Sequence, residues 1–440
     1  MEAGLAAAYG VETAAQGAVA TALGVAKATM PLKAKWTRIS SDVSLPRSSH
    51  SVSVIKGRAF IFGGEETPRK PVDNIIHAFT LPSSETISEA DYASYPAVGK
   101  DGGEVPAPRL GHTASVIDDR IYVYGGRGGK DMKPLQENGR VWVYDTMSKH
   151  WSFLDPMDGS SFPAPRSYHA AAATEHPIPS LESKAEVPLG PTEPDAHGTI
   201  FVHGGCPESG READVWAFDI ASSVWRQVPP APGPPRGGAS LCFTQDRLYR
   251  YGGFDGEIEL GGKIDYLDII ISTHDDHSGT GEVAVSPLND HWKTVEVPED
   301  GTAPGNRSVA GLEAITTGQG RNYLILILGE AKPSSGGHDV AGEYWDDVWS
   351  FQIRPDGMTA ASFKDAARMM VGAQTRESTW APVAIPQTSM AEGVLSSPGA
   401  RGWFGSAAGG DYGAEKIILW GGVQKDNSRA GDGWILTFDV

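Results

Sequence analysis

Tyr122-Val123-Tyr124-Gly125-Gly126 is the stretch that decides the fold, because an apolar strand ending in a glycine pair returns along the whole chain. Six copies are present, and they end at Gly63-Gly64, Gly125-Gly126, Gly204-Gly205, Gly252-Gly253, Gly329-Glu330 and Gly421-Gly422. One arginine precedes each copy, and these six residues are Arg47, Arg109, Arg166, Arg236, Arg307 and Arg401. A unit that occurs six times in one chain predicts a repeat architecture.

Each unit is typical of four short strands that form one blade of a β-propeller. The glycine pair permits positive φ where blades crowd near the axis. A tryptophan downstream, such as Trp151 or Trp225, fills the space between blades. We therefore predict an all-β, six-bladed propeller over residues 31–440, with surface loops at the insertions 174–198, 274–290 and 355–378. An Ala-rich helical extension is expected at residues 1–30.

Closure of the ring can be predicted from the last repeat, which has no fourth strand after Trp434–Asp439. The missing strand is available near the other end of the chain, at residues 35–39, where Trp36 resembles the tryptophans of the other fourth strands. We expect this N-terminal strand to complete the sixth blade and remove the open sheet edge.

Residues 1–28 differ in composition from the repeats. They are rich in alanine, and Leu5, Tyr9, Val19 and Leu23 recur at roughly helical spacing. Glycines at 10, 17 and 24 repeat every seven residues, which would place them on one helix face and permit close approach to another surface. We expect a helix lying across the main domain.

Charge and cysteine content exclude several partners. The chain of 440 residues has 37 basic and 55 acidic residues, a net charge of −18, which disfavours nucleic acids and anionic membranes. No apolar run approaches the 18 residues of a membrane span. The two cysteines, Cys206 and Cys242, fit no disulfide framework and no CxxC zinc pattern, so we expect reduced thiols in a cytoplasmic protein.

Topology predicts a binding site in a funnel on the face where the innermost strands begin. The six arginines start those strands, and the loops after the glycine pairs, near Glu65, Arg127 and Glu330, open on the same face. Guanidinium groups bind oxyanions through two parallel hydrogen bonds. We predict ligand binding by Arg47, Arg109, Arg166, Arg236, Arg307 and Arg401, with an apolar wall from Tyr168, Trp403 and Trp345. The alternative is that the arginines pair with acidic residues of the repeats.

The glycine pairs and spaced tryptophans make the chain similar to the kelch family, over about residues 30–440. The segment Gly329 to His338 resembles a loop of the plant nitrile- and epithio-specifier proteins, kelch propellers in which Glu, Asp and His at four-residue spacing are taken to bind ferrous iron. Glu330 and His338 match that motif, whereas Ser334 replaces the aspartate. The resemblance implies that Glu330 and His338 bind Fe(II) weakly or that no cofactor is present.

Two functions from different classes follow. The first is a specifier-like propeller that binds an anionic, partly apolar small molecule and promotes its rearrangement, isomerisation or cyclisation, as a lyase or isomerase without a redox cofactor. The second is a protein-interaction module that recognises an acidic peptide without chemistry. Only about 30 residues precede the repeats, so we expect no adaptor domain there. The sequence leaves open whether any ligand is converted.

Overall fold

The structure, a computed structural model, describes residues 29–82, 90–175, 197–269, 291–296, 302–318, 320–334, 336, 340–354, 359–370, 372, 375–386 and 395–439. The helical extension expected at residues 1–30 therefore lies outside the described residues, apart from its last two positions.

Six four-stranded antiparallel sheets form the blades of a propeller, as predicted. The first strands of neighbouring blades contact one another around the axis, and they are Ser51–Ile55, Thr113–Ile117, Ala170–Thr174, Ser240–Thr244, Gly311–Thr317 and Gly405–Ala408. The second strands are Arg58–Phe62, Arg120–Tyr124, Thr199–His203, Arg247–Tyr251, Arg321–Ile327 and Lys416–Trp420. The third strands are Ile76–Thr80, Val141–Asp145, Val215–Asp219, Ile264–Asp268, Val348–Gln352 and Gly433–Phe438. The outermost strands are Tyr92–Tyr95, His150–Leu154, Val224–Val228, Lys293–Val295, Trp380–Pro382 and Ala34–Arg38.

The ring closes in blade six, where Ala34–Arg38 pairs antiparallel with Gly433–Phe438. Ala34 lies opposite Phe438, and Trp36 meets Trp434 edge to face with ring centroids 6.4 Å apart. The strand from the start of the repeats thus completes the sheet formed by the last repeat, which confirms the predicted closure.

The core consists of apolar layers between neighbouring blades. Trp151, Trp225, Trp420 and Trp434 are among the largest fully buried side chains. Trp225 packs against Tyr124 and Phe218, from blades two and three, with ring centroids 4.9 Å away in each case. The aromatic residues therefore fill the space between blades, as the repeat pattern predicts.

Short hairpins follow the glycine pairs and stand on one face of the propeller. Their strands are Glu65–Thr67 with Lys70–Pro71, Arg127–Gly128 with Lys133–Pro134, and Glu330–Lys332 with Glu343–Tyr344. In blade six Arg401–Gly402 pairs instead with Val423–Gln424. Short 3-10 helices are present at Lys100–Gly102 and Gly410–Tyr412.

One insertion differs from expectation. The segment 355–378, predicted to be a surface loop, contains an α-helix, Ala360–Met370. Its first turn is capped reciprocally, because the Ser362 amide donates to the Thr359 hydroxyl at 3.1 Å and the Thr359 amide donates to the Ser362 hydroxyl at 2.9 Å. No helix in the described part of the chain is long and apolar enough to cross a membrane.

Candidate functional site

The six predicted arginines occupy equivalent places, four residues before each innermost strand. Each Nη1 donates a hydrogen bond of 2.9 to 3.0 Å to a backbone carbonyl at the end of the second strand of its own blade. The accepting residues are Gly63, Gly125, Gly204, Gly252, Leu328 and Gly421. All six arginines are buried, with at most 7% of their surface exposed.

Five of these arginines also pair with a carboxylate of the same blade that lies close to the start of the third strand. The pairs are Arg47 with Asp73 at 3.8 Å, Arg109 with Glu137 at 2.7 Å, Arg166 with Asp214 at 2.5 Å, Arg307 with Asp347 at 2.6 Å, and Arg401 with Asp432 at 2.7 Å. Their guanidinium groups are therefore used to join strands within the blade. These contacts support the alternative stated above and do not support a ring of six ligand-binding arginines.

Blade four is the exception. Close to the start of the third strand, where the other blades have the carboxylate partner, this blade has Lys263. The nearby Asp265 forms a salt bridge with Arg250 and not with Arg236. Arg236 donates to the carbonyl groups of Pro234 and Gly252 at 3.1 and 3.0 Å, and burial lowers its pKa to about 10. It too is held by the scaffold.

Two residues after each arginine, the backbone adopts a positive φ of 46 to 63° in all six blades. Each of these residues donates its amide hydrogen to the carbonyl of the equivalent residue in the preceding blade, at 2.7 to 3.3 Å. Six hydrogen bonds thus form a closed ring around the axis, and its members are Ser49, Gly111, Tyr168, Gly238, Val309 and Trp403.

Two of the predicted aromatic residues belong to this ring of backbone hydrogen bonds, and their side chains contact each other. Tyr168 of blade three and Trp403 of blade six come from opposite sides of the propeller, and their ring centroids lie 5.2 Å apart in an edge-to-face contact. Gly111 leaves room for Tyr168, since a Cβ atom there would lie 2.7 Å from the tyrosine ring. The third predicted aromatic residue, Trp345, lies apart from this contact. Its indole donates a hydrogen bond to the Asn306 carbonyl and lies 5.0 Å from the Arg307 guanidinium, and it does not line the cavity above Tyr168 and Trp403.

A cavity of about 560 Å³ lies above Tyr168 and Trp403. It opens among the loops where the sequence placed the funnel. Each blade contributes one equivalent residue to the cavity lining. In five blades this is the residue directly after the glycine pair, and in blade five it is Glu330, which replaces the second glycine. The six residues are Glu65, Arg127, Cys206, Phe254, Glu330 and Val423. Both cysteines of the chain are free thiols.

One wall of the cavity is cationic and aromatic. Arg127 donates through Nε to the Ser167 hydroxyl at 2.8 Å, and its guanidinium lies 5.1 Å from the Tyr168 ring centroid. The guanidinium of Arg211 lies 4.9 Å from the Phe254 ring centroid. Among the described residues, no carboxylate forms a salt bridge with either arginine. Both cations can therefore donate hydrogen bonds to a bound oxyanion.

The opposite wall carries carboxyl groups. Glu65 is paired with Arg429 at 3.2 Å. Burial raises the pKa of Glu330 to about 7, and a hydrogen bond with Trp403 partly offsets this effect. Glu259 of blade four does not line the cavity; burial raises its pKa to about 8, and its carboxyl accepts a hydrogen bond from Ser308 at 3.1 Å. The lining thus has Arg127 and Arg211 at blades two and three, neither in a salt bridge within the described ranges, and carboxyl groups at blades one, four and five.

The segment resembling an iron-binding loop supplies few ligands. Glu330 is directed towards Trp403, and the Ser334 hydroxyl accepts the Gly336 amide at 3.0 Å. His338 lies outside the described residues. Within the described ranges, no group of three His, Cys, Asp or Glu side chains is placed to hold a metal ion. One carboxyl and one neutral hydroxyl are a poor donor set for Fe(II).

Below Tyr168 and Trp403, a channel of about 220 Å³ follows the axis. His112 lies 2.9 Å from the Ser51 hydroxyl and His169 lies 2.8 Å from the Thr113 hydroxyl, in each case across the blade boundary. Burial lowers the pKa of His169 to about 3 and that of His112 well below its ordinary value. These histidines are therefore neutral and join blades.

Glu313 also lines this channel. Its carboxyl accepts hydrogen bonds from the Ser406 hydroxyl at 2.7 Å and from the Ala408 amide at 3.2 Å. Burial raises its pKa to about 7. The channel thus contains a carboxyl group that titrates near neutral pH.

The sequence pointed to the face on which the cavity opens, but it did not single out Arg211 and Arg429, which also line the cavity. Arg211 follows Cys206 in an irregular loop, and Arg429 lies beyond the last glycine pair, so neither occupies a repeated position. Arg127 was placed by the sequence in a loop of this face, but not as a ligand-binding residue. It could have been singled out as a cation directly after a glycine pair, at the position that lines the cavity in every blade.

Two family models match parts of the chain. One describes the KLHDC2/KLHL20/DRC7 Kelch-repeats domain and matches residues 26–178, and the other describes the Kelch motif and matches residues 196–232. The solved structure of YjhT superposes with a TM-score of 0.55 at 13% identity, covering 91% of this chain and 99% of that chain. This likeness supports the propeller fold alone.

Among curated relatives, the N-(sulfonatooxy)prop-2-enimidothioate sulfolyase of Thlaspi arvense is 27% identical over 329 residues, which are 71% of this chain and 79% of the plant protein. Kelch domain-containing protein 3 of Homo sapiens is 26% identical over 53% of this chain and 56% of its own length. An F-box/kelch-repeat protein of Arabidopsis thaliana is 26% identical over 77% of this chain and 63% of its own length. The chain thus spans little more than half of the human protein.

Proposed function

Because the chain is a six-bladed kelch β-propeller that resembles the plant specifier proteins, we propose that it binds an anionic, partly apolar small molecule in the cavity above Tyr168 and Trp403. The observation that carries this proposal is the wall formed by Arg127 and Arg211, two cations without a salt-bridge partner in the described part of the chain. The buried arginines of the blades have no part in it.

The wall suits a ligand with an oxyanion at one end. Arg127 is held by Ser167 through Nε, so its terminal nitrogens remain as donors. Each charge-assisted hydrogen bond contributes about 1.5–3 kcal/mol where water is partly excluded. Tyr168, Phe254 and Trp403 supply aromatic surface beside the cations for the apolar part of the ligand.

The proposal extends to turnover. The plant relative is named as a sulfolyase that acts on an N-(sulfonatooxy) compound. For this chain we propose a sulfated ligand, with the sulfate attached through an oxygen atom, whose oxyanion is bound by Arg127 and Arg211. In the proposed step the N–O bond between the ligand and its sulfate group would break, and sulfate would leave with the bonding electron pair while Arg127 and Arg211 stabilise the charge on its oxygens. A neighbouring group of the same ligand would migrate with its own bonding pair to the electron-deficient nitrogen, so the step is a rearrangement that needs no oxidant or reductant.

The alternative is capture of an acidic peptide, with no chemistry. The cavity volume of about 560 Å³ lies within the range of small-molecule sites, about 300–1,000 Å³. An extended peptide needs an open groove, whereas the hairpins of blades one, two and five surround this cavity. The geometry therefore favours the small molecule.

A thermal-shift titration tests the proposal with phenyl sulfate, inorganic sulfate and a hexaglutamate peptide as probes. We expect phenyl sulfate to raise Tm most, because it has both an oxyanion and an apolar ring. Arg127→Ala and Arg211→Ala should each weaken it about tenfold or more. Lys130→Ala, an exposed cation of the same hairpin region as Arg127, is the matched control. A response to hexaglutamate alone would replace the proposal with the peptide function, and equal binding by all variants would refute it.

A further inference from the structure

The helix Ala360–Met370 has its polarity reversed with respect to an ordinary surface helix. Its buried side includes the charged residues Asp365 and Arg368. Its outward side carries Phe363, Met369 and Met370, which are 62%, 65% and 86% exposed. A surface helix normally turns apolar residues inward and charged residues outward. The outward face of this helix is therefore a surface that needs a cover.

The reversed orientation is fixed by a buried ion network. Arg321, at the start of the second strand of blade five, donates to the Asp365 carboxylate at 2.5 Å. Arg368 donates to the same oxygen at 3.0 Å. Because rotation of the helix would carry Asp365 away and leave the buried Arg321 without its carboxylate partner, the apolar face cannot turn inward at low cost.

The first described residues of the chain lie at the same end of blade five. The Thr29 carbonyl accepts a hydrogen bond from the Tyr323 hydroxyl at 2.9 Å, and Tyr323 is two residues from Arg321 on one strand. Met30 and Leu32 join the apolar cluster that contains Tyr323. The chain thus leaves the propeller next to the strand end that anchors the helix.

We infer that residues 1–28 of the same chain cover the outward face of this helix. The segment contains Leu5, Tyr9, Val19 and Leu23 among many alanines, and its charged residues are Glu2, Glu12 and Lys27. Twenty-eight residues span about 40 Å even as a helix, whereas the exposed helix is about 16 Å long. Residues 1–28 are therefore long enough and apolar enough to cover the exposed helix, and the chain enters the propeller next to it.

Methionine oxidation tests the inference. Hydrogen peroxide converts exposed methionines to sulfoxides, and peptide mass spectrometry reports each site. We expect Met369 and Met370 to oxidise about fivefold or more slowly in the intact chain than in a chain lacking residues 1–28. Met147, which is 66% exposed in blade two, is the internal control and should oxidise equally in both chains. Equal rates at Met369 and Met370 in the two chains would overturn the inference.

A variant makes the test independent of the truncation. In the intact chain, Phe363→Asp should accelerate oxidation of Met369 and Met370 relative to Met147 and lower Tm, whereas in the shortened chain it should change neither. Leu395→Asp, an exposed site elsewhere, should have equal effects in both chains. Two outcomes would refute the inference. If Met369 and Met370 stay protected without residues 1–28 at every protein concentration, another part of the propeller covers the helix. If their protection rises with protein concentration, a second copy of the chain covers it.

Discussion

Tyr168 and Trp403 touch across the axis of the propeller, 5.2 Å between ring centroids, although they belong to blades three and six. Both residues also belong to the ring of backbone hydrogen bonds that joins all six blades. Their contact separates the cavity between the hairpins from the channel below. The floor of the proposed site is therefore built by the most central residues of the fold.

Removal of this floor should weaken ligand binding. We expect Trp403→Ala to reduce the affinity for phenyl sulfate about tenfold or more, because an aromatic contact is lost and the cavity opens into the channel. Trp345→Ala is the matched control, since Trp345 does not line the cavity. Isothermal titration calorimetry measures both, and a larger loss with Trp345→Ala would place the ligand elsewhere.

The buried arginines should act on stability. Arg166→Ala leaves Asp214 with no cation, so we expect the free energy of unfolding to fall by about 3 kcal/mol or more. Arg127→Ala breaks no salt bridge among the described residues, so it should change stability by less than about 1 kcal/mol. Urea denaturation followed by tryptophan fluorescence compares them. Equal stability of Arg166→Ala and the parent protein would show that this pair is not structural.

Glu313 should make stability depend on pH. Burial raises its pKa to about 7 in the folded protein, whereas an unfolded chain titrates this carboxyl near about 4.3. Between these values the unfolded state has lost a proton that the folded state still holds, so rising pH favours unfolding. We expect Glu313→Gln to remove part of the fall in Tm between about pH 4.5 and 7. Glu66→Gln, at an exposed position, should leave the dependence of Tm on pH unchanged. If Glu313→Gln shows the same dependence of Tm on pH as the parent protein, the raised pKa of Glu313 is contradicted.

The two ends of the ring should differ in their tolerance of truncation. Removal of residues 1–40 deletes Ala34–Arg38 and leaves the strand Gly433–Phe438 with an open edge, so we expect a large drop in Tm or insoluble protein. Removal of residues 1–28 keeps the whole described fold and should be mild. Differential scanning calorimetry of both forms checks this, and similar melting of the longer truncation would mean that blade six is stable with three strands.

Iron affinity should increase when the missing carboxylate is supplied. Ser334→Asp adds a negatively charged oxygen ligand between Glu330 and His338 in the sequence, so we expect weak Fe(II) binding in the parent protein and at least tenfold tighter binding in the variant. Anaerobic titration measures both, with Ser334→Ala as control. Tight binding by the parent protein would indicate that other residues complete a metal site.

The architecture was predictable because each blade repeats the same steric requirement at its glycine pair, and six copies of one signal reinforce each other. The structural role of Arg109 could not be predicted, because its partner Glu137 lies 28 residues away in sequence and only the fold brings the two residues together. The helix Ala360–Met370 was missed for a specific reason. Its apolar residues face outward and Asp365 faces inward, so the usual relation between apolar spacing and burial is reversed.

The closure of blade six has a consequence for biosynthesis. Ala34 and Phe438 pair although about 400 residues separate them in sequence. At a ribosomal rate of about 5–20 residues per second, the first strand waits between about 20 and 80 seconds for its partner to be translated. During that interval Trp36 and its neighbours are an unpaired β-segment on a nascent chain. Chaperone demand should therefore last until the strand Gly433–Phe438 has been synthesised and can pair with Ala34–Arg38.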